Sequence, residues 1–62
     1  MVYEVCFEYD MDMEGVKVSA SSPEKAIEKA KAILADITLF VDGKELTWES
    51  VYDDADIYAV EQ

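Results

Sequence analysis

From Val2 to Tyr9 the chain alternates without a break. Tyr3, Val5, Phe7 and Tyr9 fall on one side, and Glu4, Cys6 and Glu8 on the other. A period of two is the signature of a β-strand with one buried face. A chain of 62 residues that contains such a strand must cover its apolar face with other parts of itself. Ser21-Ser22-Pro23-Glu24 reads as the start of the covering element. Ser22 is the cap, Pro23 the first helical residue, and Glu24 sits near the positive end of the helix dipole. Ala26, Ile27, Ala30, Ile33, Leu34 and Ile37 then recur at helical spacing as one apolar stripe, with Lys25, Glu28, Lys29 and Lys31 off it. The pattern predicts a helix that packs across the sheet and ends near Ala35-Asp36.

The remaining segments read as further strands. After a polar loop around Asp10–Gly15, Val16, Val18 and Ala20 resume the alternation with Lys17 and Ser19 outward, so the first two strands form a hairpin. Gly15 supplies backbone freedom for the connection. Thr38–Val41 is β-rich and is followed by Asp42-Gly43, a strong signal for a two-residue hairpin turn. Lys44–Trp48 is the predicted return strand, with Leu46 and Trp48 on one face; residues 49–55 are a loop or a short turn. Asp56–Val60 is the predicted last strand. The fold class expected is α+β: ββα followed by two or three strands, with one helix packed on an antiparallel sheet. Residues 1–62 form a single compact domain. A chain this short buries about 60% of the surface its unfolded form exposes. Its stability should be roughly 3–9 kcal/mol, at about 0.05–0.15 kcal/mol per residue.

Charge narrows the function. Fifteen acids face five lysines, with no Arg and no His, for a net charge of -10. The first fifteen residues carry five acids and no base, residues 16–35 sum to +2, and residues 36–62 sum to -7. Such a field attracts basic surfaces and repels nucleic acid and anionic membrane, so direct partners of those two kinds are not expected. Catalysis needs a nucleophile with a base, a metal site or tuned carboxylates. Without His the usual base and the commonest metal ligand are missing. Glycine occurs only at positions 15 and 43, too sparsely for a phosphate-cradling loop. No enzyme activity, catalytic residue, metal or cofactor is expected. The single cysteine, Cys6, rules out an intramolecular disulfide and suits a reducing interior. Neither a signal peptide nor a run of about 20 apolar residues is visible, so the chain reads as soluble and intracellular.

Four groups of residues could carry a function. Asp10-x-Asp12-x-Glu14-Gly15 resembles the opening of a calcium loop, but the bidentate position falls on Ser21 and the flanks are strands, so an acidic hairpin loop is the plainer account. Asp53-Asp54-x-Asp56, between Glu49 and Glu61, is the densest acidic cluster. It is either a solubilising loop or a set of carboxylates offered to Lys and Arg. Trp48, Tyr52 and Tyr58 stand among these acids as candidate aromatic anchors for a partner, and Trp48 and Tyr58 serve equally well as core. The outward row Glu4, Cys6, Glu8 and then Asp10 has a spacing of about 6.6–7 Å, comparable with phosphates along a DNA strand, although an ordinary exposed sheet face explains it more simply. The lysines of the helix read as local compensation, with Glu28 and Lys31 three apart on one face.

The strand–strand–helix order, the run Ser-Ser-Pro-Glu-Lys-Ala-Ile-Glu-Lys-Ala and the closing Asp-Ala-Asp-Ile-Tyr-Ala-Val-Glu resemble small phage and mobile-element proteins. Among these, the strongly acidic members look like anti-CRISPR proteins and other DNA mimics. The resemblance implies a non-enzymatic inhibitor in the cytoplasm of a bacterial or archaeal host. Its partner would be a basic nucleic-acid-binding protein or a CRISPR effector complex. The acidic contact surface expected on this reading is Glu8, Asp10, Asp12, Glu14, Glu49, Asp53, Asp54 and Asp56. The helix lysines restrict any mimicry to the sheet and loop side. The alternative is a structural or interaction module, a monomer or a weak homodimer, that pairs through a sheet edge without mimicry.

Overall fold

The computed structural model describes residues 1–62. The order of elements is β1 (Val2–Tyr9), β2 (Asp12–Ser19), α1 (Pro23–Leu34), β3 (Thr38–Val41), β4 (Lys44–Thr47), α2 (Trp48–Val51) and β5 (Asp56–Glu61). The fold class is α+β. The five strands divide into two antiparallel sheets: a three-stranded sheet in the order β2-β1-β5, and the separate hairpin β3-β4.

β1 is the central strand because its apolar face is the richest. Tyr3, Val5 and Phe7 are all buried, and α1 packs against all three strands of the sheet on that side. Ser22 caps α1 as the sequence predicts, accepting a hydrogen bond from the Lys25 backbone N–H through its hydroxyl oxygen at 3.3 Å. Ala26, Ala30 and Leu34 form the buried line of the helix. The expected apolar stripe is narrower in the structure. Ile27 is half-buried, Ile33 lies exposed, and Ile37 falls beyond the helix end and is also exposed.

Two expectations about loops are corrected. Asp12–Gly15 is not loop but the first half of β2, paired with β1 as Tyr9↔Asp12, Glu8↔Met13, Phe7↔Glu14 and Cys6↔Gly15. The connection shrinks to Asp10-Met11, with Asp10 at φ 58. Asp tolerates this left-handed backbone better than most residues, which lets a tight turn form without glycine. Asp42-Gly43 behaves as expected: both residues have positive φ, 52 and 79, as a two-residue hairpin turn demands.

The second correction concerns Trp48. It is not the end of β4 but the first residue of the one-turn helix α2, and it is only 1% exposed. Its ring meets Phe7 edge-on, with centroids 6.1 Å apart at 60°. Tyr52 follows at 5.8 Å from the same ring. α2 therefore covers the part of the sheet around Phe7. No helix is long and apolar enough to cross a membrane.

Candidate functional site

The strand register decides which acids come together. Asp56 at the start of β5 stands directly opposite Glu8 near the end of β1, and Asp10 lies in the turn just beyond. Asp12 and Glu14 begin β2 opposite Tyr9 and Phe7. Asp53 and Asp54 sit in the turn after α2, where the N–H groups of Asp54 and Ala55 both donate to the Val51 carbonyl. Glu49 lies on α2, the helix that packs on Phe7 through Trp48. Register and the packing of α2 on Phe7 therefore bring all eight acids singled out from the sequence toward the end of the three-stranded sheet that holds the β1–β2 turn. Seven of the eight are strand or turn residues close to the β1–β2 tip or the start of β5, and Glu49 reaches the same end through α2.

They do not share one face. Glu8 and Asp56 belong to the face of the three-stranded sheet turned away from α1, whereas Asp12 and Glu14 alternate to the other side. Asp10, expected to continue the outward row of Glu4, Cys6 and Glu8, leaves that row because the chain turns there. The acids therefore wrap the end of the molecule instead of lining a strip.

The aromatic residues divide three ways. Trp48, proposed as a partner anchor, is core and unavailable for contact. Tyr52 is half-buried, and its hydroxyl donates to the Lys31 carbonyl at 2.6 Å, tying α1 to the turn after α2. Burial and the nearby Glu49 raise its pKa. Lys31 Nζ lies 5.5 Å from the Tyr52 ring centroid, so the base read as a partner for Glu28 sits over an aromatic face. Tyr58 alone of the three is well exposed, at 43%. Its hydroxyl donates to Glu8 Oε2 at 2.5 Å, and this bond, followed by burial and the carboxylate charge, pushes its pKa to about 12.

The open face of the three-stranded sheet carries more than the acids. Register places Met13, Gly15 and Lys17 of β2, Val2, Glu4, Cys6 and Glu8 of β1, and Asp56, Tyr58 and Val60 of β5 on it. No element covers this face, and Val2, Met13, Tyr58 and Val60 are all exposed there. Glu4 and Cys6 were visible in the sequence. Met13 and Gly15 read as loop in the sequence, and the signal that places them on this face is a hairpin centred on Asp10-Met11. Around Gly15 the face is hollowed into an open depression of about 320 Å³ lined by Glu4, Cys6, Met13, Glu14 and Gly15. Comparison with protein-family models, with curated proteins and with solved structures finds no match to this chain.

Proposed function

We propose that the protein is a non-enzymatic inhibitor whose acidic end occupies a basic nucleic-acid-binding surface, in the manner of an anti-CRISPR DNA mimic acting on a CRISPR effector complex. The observation that carries this reading is the convergence of Glu8, Asp10, Asp12, Glu14, Glu49, Asp53, Asp54 and Asp56, far apart in sequence, at one end of the molecule. Lysine bonding is spent elsewhere: Lys29 Nζ donates to the Ser19 carbonyl, and Lys31 lies over Tyr52. Uncompensated charge of this kind steers a basic partner by long-range attraction, and salt weakens the encounter. The test is inhibition of nucleic-acid binding by a purified CRISPR effector complex, measured in rising salt. Inhibition should fall with salt and disappear when Asp53, Asp54 and Asp56 are all changed to Lys. An effector that binds its nucleic acid equally well with and without the protein would reject the CRISPR form of the reading.

One observation favours strand addition as a second reading. Both edges of the β3-β4 hairpin are unpaired, and Phe40 on β3 is exposed. Binding of that kind would persist in high salt, which separates the two.

A further inference from the structure

We infer that the depression on the open sheet face is a subsite for one arginine side chain of the basic partner. The inference rests on the proposed function for the sign of the partner's charge and on the depression itself for the rest. Gly15 creates the hollow. A Cβ at that position would lie 3.1 Å from Glu4 Oε2, so the missing side chain is what allows the Glu4 carboxylate to reach across β2. Lys17 is the residue directly opposite Glu4, yet it does not line the hollow, and the Glu4 carboxylate extends over Gly15 instead. Met13 and Cys6 supply apolar wall beside that carboxylate.

This pairing of an apolar channel with a carboxylate matches arginine. The guanidinium can take both carboxylate oxygens in a planar fork, while its aliphatic stem lies along the Met13 and Cys6 side chains. A lysine ammonium is more strongly hydrated and cannot form the fork. A second copy of this chain is a poor occupant. Stacking two open faces would press Glu4, Glu8 and Asp56 of each copy onto an acidic face where Lys17 is the one base, on chains of net charge -10. The depression adjoins the acidic end, with Glu14 belonging to both, so a partner gripping that end can place one arginine here as an anchor, the kind of residue on which interfaces concentrate their energy.

Gly15 also provides the test. It has no positive φ and sits within a strand, where valine is favoured over glycine, so Gly15→Val should fill the hollow without loss of melting temperature. The probe is the blocked tripeptide Ala-Arg-Ala, titrated into the labelled protein and followed by backbone amide NMR, beside its lysine and norleucine counterparts. The arginine peptide should shift Glu4, Cys6, Met13 and Gly15, bind more tightly than the lysine peptide, and weaken about tenfold in both Gly15→Val and Glu4→Gln, as loss of a charged hydrogen bond implies. Norleucine should shift none of them. Equal binding of Arg and Lys peptides, shifts confined to Asp10, Asp12 and the Asp53–Asp56 segment with Glu4, Cys6 and Gly15 unmoved, or unchanged affinity in Gly15→Val would each overturn the inference. If the depression stays silent while inhibition is still lost on reversing Asp53, Asp54 and Asp56, the subsite fails and the acidic-end reading stands.

Discussion

Tyr58 and Glu8 show how one hydrogen bond can reveal a surface. The phenol donates to a carboxylate that already faces Asp56 across the strands. Like charges set directly opposite destabilise a sheet, and a donor on one of them eases that cost. The bond requires a neutral phenol, so the folded pKa of about 12 lies above the unfolded value near 10. Its contribution is therefore complete below about pH 10 and is lost as the pH rises through the folded value. Of four tyrosines, Tyr58 and the half-buried Tyr52 should titrate late. Glu8→Gln should return only the Tyr58 step toward the ordinary range while the Tyr52 step stays high. Tyrosinate absorbance against pH measures both steps, and an unmoved curve in Glu8→Gln would show that the Tyr58–Glu8 bond is not made in solution.

The elements differ in how openly the sequence declares them. α1 is announced by its cap and its stripe, and Ser22→Ala should cost about 1 kcal/mol, read as a lower denaturant midpoint with an unchanged slope. β1 was legible because its alternation is complete. The first half of β2 was not, because Met13–Gly15 is exposed and Asp12 only half-buried, and backbone pairing, rather than apolar contrast, makes the segment a strand. α2 escaped for a different reason. Thr47-Trp48-Glu49-Ser50-Val51 has the composition of a strand, and only the demand of Phe7 for a cover turns Trp48 inward on a helical turn. The same packing removed Trp48 from the candidate site while leaving every acid in it. Charged residues stay at the surface whatever element they join, so their exposure could be read from sequence; their convergence required the register. Trp48→Ala should cost about 3–5 kcal/mol, a large share of the roughly 3–9 kcal/mol available. Loss of a cooperative thermal transition, or a large fall in its midpoint, is the expected result, and a melting temperature close to wild type would mean that α2 does not hold the core.

At the scale of the whole molecule, the eight converged acids repel one another, and binding or salt relieves them. The melting temperature should therefore rise between low and moderate salt as the repulsion is screened. A flat or falling curve would mean that the acids lie too far apart in solution to interact. The same acids make the domain least stable under the low-salt conditions in which it would attract a basic partner most strongly, so a bound partner should raise its melting temperature most at low salt. The order of the sheet carries another consequence. β1 is the earliest strand in this chain and β5 the latest, yet they are neighbours, with Tyr3 opposite Glu61 and Glu8 opposite Asp56. During synthesis the β1–β2 hairpin and α1 can associate early, but one edge of β1 stays bare until the final strand emerges. The acidic end is closed in that same last step, when Asp56 arrives beside Glu8. A ribosome that stalls before β5 would thus hold out a bare strand edge, with the acid that stands opposite Glu8 still missing from the surface.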